Sequence, residues 1–231
     1  MEHPHFEGFS PKALEFLQEW QQNNSRDWFQ PRKTEYEEWI KHPALDFIFE
    51  LGSRLKLISP EIQFDLRHNG SLLRIYRDTR FSADKTPYHP NVRAVFWQGP
   101  GKKSETPGFF VRLDHRGADV FAGIHHFNKP QLQAFREAVD SKTQGSELER
   151  ILDGLSKAGP YGIGEKTYKR VPRGYDPDHP RAELLKFGGL YSMLRDIPQK
   201  TVLSPELVDV CFEHFHNMSP VQQWLVQAFY A

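Results

Sequence analysis

Between about residue 62 and residue 124 the chain switches from a helical to a stranded texture, and two tight-turn signals fall inside that span. His68-Asn69-Gly70-Ser71 separates Ile62–Arg67 from Leu72–Arg77. Asn-Gly favours a two-residue hairpin because both residues tolerate positive φ. His115-Arg116-Gly117 separates GFFVRLD from ADVFAGI in the same way. A further alternating run, NVRAVFW, precedes a Gly/Lys/Ser-rich loop at 98–107. Sequential hairpins demand antiparallel pairing, which excludes a doubly wound parallel sheet.

Helices flank this region on both sides. Ser10-Pro11 pairs an N-cap with a residue suited to the first turn, and Phe9 and Leu14 hold staple positions. Ala13, Leu14, Phe16, Leu17 and Trp20 then recur at helical spacing. A second helix is expected from Arg26, carrying Trp28, Phe29, Tyr36, Trp39 and Ile40, with a kink or restart at Pro43. After the sheet, one helix is expected through Leu132–Val139. Another is expected to open at Ser146, where Glu149 completes a capping box. A long Gly/Pro-rich connection covers 159–178, and a strand is expected near Gly189–Leu194. Ser204-Pro205 and Ser219-Pro220 both read as helix starts, the second with Gln222 at capping-box spacing. The expected fold is α+β: an antiparallel sheet of sequential hairpins with helices from both termini packed on it.

Composition narrows the function. Lys+Arg and Asp+Glu are equal at 30 each, so any basic patch is local. Proteins that coat a duplex carry excess positive charge, because counterion release drives that binding; a duplex partner is therefore not expected. Cys211 is the single cysteine and excludes an internal disulfide. The first residues, MEHPHFEGF, show no signal-peptide pattern, and no run reaches the roughly 18 apolar residues a membrane span needs. A cytoplasmic protein with no membrane partner is expected.

Familiar chemical motifs fail on inspection. GPYGIGEKT at 159–167 resembles a phosphate loop, but Glu165 intervenes before Lys166 and no helix start follows. His125-His126 and His214/His216 lack further ligands at metal spacing, so no metal and no cofactor is expected. There is no GxSxG elbow.

Two stretches remain. RIYRDTRFSADKTPY, residues 74–88, carries Arg74, Arg77, Arg80 and Lys85 against Asp78 and Asp84, with Tyr76 and Tyr88 between. Taken as a strand from Leu72, it points Leu73, Ile75 and Arg77 to one face and Arg74 and Tyr76 to the other. Arg93 on the following strand comes near Arg74 or Arg77. KTYKRVPRGY, residues 166–175, gathers Lys166, Lys169, Arg170 and Arg173 with Tyr168 and Tyr175 and holds no acid. One account is that such pairs only tie loops to a sheet, since exposed pairs contribute about 0–1 kcal/mol. The other is that the two stretches converge on one pocket, with Arg as a two-pronged donor to phosphate or carboxylate.

These stretches resemble the signature of a widespread, uncharacterised family of bacterial and fungal proteins, classed as a domain of unknown function. The matching segments are Phe6-Glu7-Gly8-Phe9, Asn23-Asn24-Ser25-Arg26-Asp27-Trp28-Phe29, the whole of 74–88, 169–174 and Asp178-His179-Pro180. One departure is Phe121-Ala122-Gly123-Ile124-His125-His126, where the family has a Gly-rich turn. The resemblance implies one α+β domain over residues 1–231 and supplies no activity.

The expected function is binding of a small phosphorylated or carboxylated ligand. Arg74, Arg77, Arg80, Lys85, Arg93, Lys169, Arg170 and Arg173 are the candidate donors, and Tyr76, Tyr88 and Tyr175 shape the pocket. Asp78, Asp84 and His179 are the acid/base candidates for any metal-free catalysis. The rival expectation is a non-enzymatic module that captures a protein tail or a nucleic-acid end.

Overall fold

The computed structural model describes residues 5–164 and 166–230. Its centre is a five-stranded antiparallel sheet in the order β1-β2-β3-β5-β4. The strands are β1 (Val92–Trp97), β2 (Gly108–Asp114), β3 (Gly117–Ile124), β4 (Gly162–Ile163) and β5 (Leu190–Pro198). The expected α+β class holds, and β2 and β3 form the expected hairpin across His115-Arg116.

The helices are α1 (Pro11–Gln22), α2 (Arg26–Phe29), α3 (Lys33–Tyr36), α4 (His42–Leu55), α5 (Lys129–Asp140), α6 (Lys142–Ala158), α7 (Gln199–Val202) and α8 (Leu207–Tyr230). Ser10 caps α1 by accepting from the Ala13 N–H (3.2 Å), and the expected apolar stripe is buried. Gly8 holds φ at +98° and lies against the Leu203 backbone, where a Cβ would come within 2.7 Å. A π turn, Glu37–Lys41, joins α3 to α4, which restarts with Pro43 in its first turn. On the sheet's inner face, Ala94, Phe96, Phe109, Val111, Val120 and Ala122 are buried against the helices. The Phe109 ring lies 4.9 Å from Phe215 of α8.

Three expectations fail, each for a local reason. The hairpin around Asn69-Gly70 does not form. Asn69 does take a left-handed turn (φ 58°), and Asp65 and Ser71 bond across it, but beyond that pair both arms bond to the free edge of β1 and no ladder forms between them. Gln63 exchanges backbone bonds with Trp97 (2.8 and 3.1 Å), the Val95 N–H donates to Ser71, and the Leu73 N–H donates to Arg93. The unpaired backbone groups of β1 are the stronger attractor, because a buried edge must be satisfied. Secondly, α6 begins at Lys142, capped by Ser141, so Ser146 lies inside the helix. Thirdly, Ser219-Pro220 does not start a helix but lies within α8. Pro220 cannot donate to the His216 carbonyl, and the Ser219 hydroxyl does so instead (2.8 Å).

No helix among the described residues is long and apolar enough to cross a membrane.

Candidate functional site: a basic hairpin at the sheet edge

Residues 74–88 leave the β1 edge and fold back on themselves. The Arg77 N–H donates to Pro87 (2.9 Å) and the His89 N–H to Ile75 (2.7 Å), so Tyr76 faces Tyr88. Asn24 fixes this hairpin to the helices: its side chain donates to the Tyr88 carbonyl (3.0 Å) and accepts from the Tyr88 N–H (3.2 Å). Thus the Asn-Asn segment after α1 and the basic stretch serve one joint. Tyr88 is fully buried against Trp20 (5.6 Å between centroids) and Phe29 (4.7 Å). It is therefore a core ring and offers no face to a ligand, whereas Tyr76 is half exposed above it.

The charges divide into two kinds. Within the loop, Arg80 grips both carboxylate oxygens of Asp78 (2.9 and 2.6 Å). Arg77 donates to Asp84 (2.5 Å) and to Thr86, and Lys85 donates to the Thr79 carbonyl (2.9 Å). Side-chain and backbone bonds from Arg80 hold Asp78 at a pKa of about 2. The Thr86 N–H, then Arg77, hold Asp84 at about 2. Both acids are ionised and engaged, which suits loop closure better than proton transfer.

Behind the loop the cations are in excess. Arg93 on β1 donates to the Arg74 carbonyl (2.6 Å). Its Nε is buried and has no partner, and burial followed by repulsion from Arg74 lowers its pKa. The Arg74 guanidinium makes no hydrogen bond to the described residues. His89 lies in the field of all three guanidiniums. Burial, then Arg93, Arg77 and Arg74, bring its pKa down to about 4. Among the described residues, Asp84 on Arg77 is the one carboxylate hydrogen-bonded to any of the three.

Arg74 and Tyr76 also line a groove of about 820 Å³ between α2–α4 and residues 66–76. Phe29, Lys33, Tyr36 and Arg67 complete its walls, and the π turn contributes Glu37 and Lys41, which pair at 2.5 Å. Burial and the adjacent Glu37 push the Tyr36 phenol upward, keeping it neutral.

The second basic stretch lies elsewhere. The Thr167 and Tyr168 N–H groups bond to the Lys186 carbonyl (3.1 and 2.9 Å), just before β5. Tyr168 lies beneath Arg136 of α5 (4.9 Å). Burial, then Glu137 and Asp140, raises the Tyr175 pKa, with Arg136 of α5 acting the other way. Lys169, Arg170 and Arg173 are exposed. No hydrogen bond, ion pair or ring contact among the described residues joins this stretch to residues 74–88. β1 forms one edge of the sheet, and β5 lies at the far side, next to the edge strand β4. The expected convergence on one pocket is not what this topology provides.

His179 is likewise apart from Asp78 and Asp84. Its Nε2 is 3.2 Å from Asp140, and its Nδ1 accepts the Arg181 N–H (2.9 Å). It therefore positions Arg181, a residue that motif reasoning missed. Arg181 is buried, donating to the carbonyls of Val139 (2.6 Å), Asp140 (3.2 Å) and Ser141 (3.1 Å) at the α5–α6 corner. One basic residue inside a polar connection carries no periodicity that could have marked it as buried.

Among the described residues there is no cluster of three or more His, Cys, Asp or Glu placed to hold a metal ion. Cys211 is fully buried, and burial raises its thiol pKa.

An α+β architecture with a basic hairpin locked to its helical wall by an asparagine defines the class. The model of a family described as conserved hypothetical protein (DUF2461) matches residues 12–224, and the chain belongs to that family. Comparison with curated proteins and with solved structures gives no match.

Proposed function

We propose that this protein binds a small anionic ligand, phosphorylated or carboxylated, at Arg74, Arg77 and Arg93, with the body of the ligand in the groove between Tyr36 and Tyr76. One observation carries the reading: three guanidiniums act on one histidine, with a single carboxylate hydrogen-bonded among them. Like charges gathered this way repel unless an anion lies between them. Arg93 additionally keeps a buried donor without a partner among the described residues, which costs free energy. The groove volume suits a metabolite-sized molecule, and Tyr36 and Phe29 give it an apolar wall.

Arg74→Ala is the clean test, because that side chain is exposed and makes no hydrogen bond to the described residues. Isothermal titration with inorganic phosphate and a panel of phosphorylated and carboxylated metabolites should show binding by the unmodified protein. The variant should bind about 10–100-fold more weakly, the worth of one charged hydrogen bond. Absence of binding across the panel by the unmodified protein would refute the proposal.

A further inference from the structure

The helices cover one face of the sheet. The opposite face carries side chains that are only partly buried: Val95, Phe110, Phe121, Tyr191 and Met193. A groove of about 490 Å³ crosses this face. The strand register shows how it is built. Phe110 of β2 stands directly opposite Phe121 of β3, with ring centroids 5.7 Å apart. Tyr191 of β5 follows at 6.1 Å, and His125 stacks on Tyr191 at 5.2 Å with the planes 17° apart. Four rings thus form a diagonal band across three strands: Met193 stands directly opposite Phe121, and Tyr191 stands opposite Gly123.

The rows on either side differ. Towards the 98–107 loop, Gly108 faces Gly123. Neither has a side chain, so the floor over β2 and β3 stays open, bounded by the Tyr191 ring opposite Gly123. Lys103 overhangs it, its ammonium bonded to the carbonyls of Asn69 and Gly70. On the other side, Arg93 faces Arg112, and Arg112 faces Asp119. Arg112 is bound to Asp119, while Arg195 on β5 is exposed and makes no hydrogen bond to the described residues. The face therefore alternates an open floor, an aromatic band and a basic row.

We infer that this face binds single-stranded nucleic acid, with bases stacked on Phe110, Phe121 and Tyr191 and phosphates met by Arg112, Arg195 and Lys103. Aromatic rings on an open sheet accept any base because every base has a π face, and flanking cations follow the backbone. A duplex hides its bases from such a band. Strands are spaced about 4.8 Å apart, so rings on three strands reach beyond one base and favour a short run of nucleotides over a mononucleotide. This inference uses a different set of residues from the Arg74 site.

Fluorescence anisotropy with labelled octathymidylate and octauridylate at about 50 mM salt tests it. Saturable binding is expected, at least tenfold tighter than for thymidine monophosphate or for a duplex of equal length. Phe121→Ala and Phe110→Ala should each weaken it about tenfold, as expected for losing one stacked base. Arg195→Ala should weaken it and reduce the slope of log affinity against log salt by about one. The Arg195 side chain is exposed and makes no hydrogen bond or ion pair to the described residues, so that variant will fold even if a Phe variant does not. Inorganic phosphate in excess at constant ionic strength should displace thymidine monophosphate from the Arg74 site but leave oligonucleotide affinity unchanged, which keeps this inference separable from the anion pocket. Absence of binding to both oligomers, equal affinity for duplex or mononucleotide, indifference to both Phe121→Ala and Arg195→Ala, or self-association that covers the face would each overturn it.

Discussion

Arg93 on the edge strand donates to the backbone carbonyl of Arg74 at 2.6 Å, so one guanidinium supports the backbone of another. The bond uses Nη2 and leaves the buried Nε without a partner. Arg93→Met should therefore separate stability from affinity. Removing the repulsion with Arg74 offsets most of the lost bond, so the urea midpoint should move by the equivalent of less than about 1.5 kcal/mol. Phosphate affinity should fall at least tenfold in titration calorimetry. A variant that unfolds yet retains affinity per folded molecule would assign Arg93 a purely structural role.

His89 gives the pocket a pH signature. Its folded pKa of about 4 lies below the ordinary 6.5, so the unfolded chain binds the proton more readily. Stability is then fully present above pH 6.5 and is lost as pH falls towards 4. Solvent screening of a partly exposed ring limits the effect to about 1–2 kcal/mol. Thermal melts from pH 7 to 4 should show this decline, and His89→Asn should flatten it. A saturating anion should move the His89 imidazole resonance titration upward in NMR, since negative charge among the arginines favours the imidazolium. Asp78 and Asp84, held at about 2, add their own loss only below about pH 4.

Arg181 ties the C-terminus of α5 to the start of α6 through three carbonyls. Arg181→Ala leaves these acceptors short of a donor in a buried corner, at a cost of about 3 kcal/mol. Urea denaturation should show a lower midpoint. Ligand titration of the residual folded protein should be unchanged, because this corner is remote from Arg74.

The Tyr88 hydroxyl is buried with no partner. Tyr88→Phe keeps the ring against Trp20 and Phe29 and removes an unsatisfied group, so the protein should gain about 0.5–1 kcal/mol in differential scanning calorimetry. A loss of stability would mean that the hydroxyl has a partner in solution.

How far the residues announced this molecule depends on the kind of signal. Caps and periodicity were local, so α1 and its Ser10 cap, the β2–β3 hairpin and the restart at Pro43 were all legible. Turn chemistry at Asn69-Gly70 was legible too, but the partner of its two arms was not. That choice is made by the open edge of β1, far along the chain. Ser219-Pro220 reads as a start because the repair of the His216 carbonyl by a hydroxyl has no sequence mark. For the site, charge patterning picked out Arg74, Arg77 and Arg93 but could not order the space between residues 74–88 and 166–175. It also passed over Phe110, Phe121 and Tyr191, which look like ordinary strand residues until the helices prove to cover only the other side. Some residues singled out in the sequence prove architectural: Gly8 makes room for Leu203, and Asn24 pins Tyr88.

The two arms that abandon their own hairpin for β1 have a wider effect. By occupying that margin irregularly, with a compact bulge between Gln63 and Ser71, they deny it to any foreign strand. The opposite margin is capped by the two-residue β4. Rim-to-rim growth into fibrils is thereby discouraged, and a visiting molecule must approach the sheet broadside.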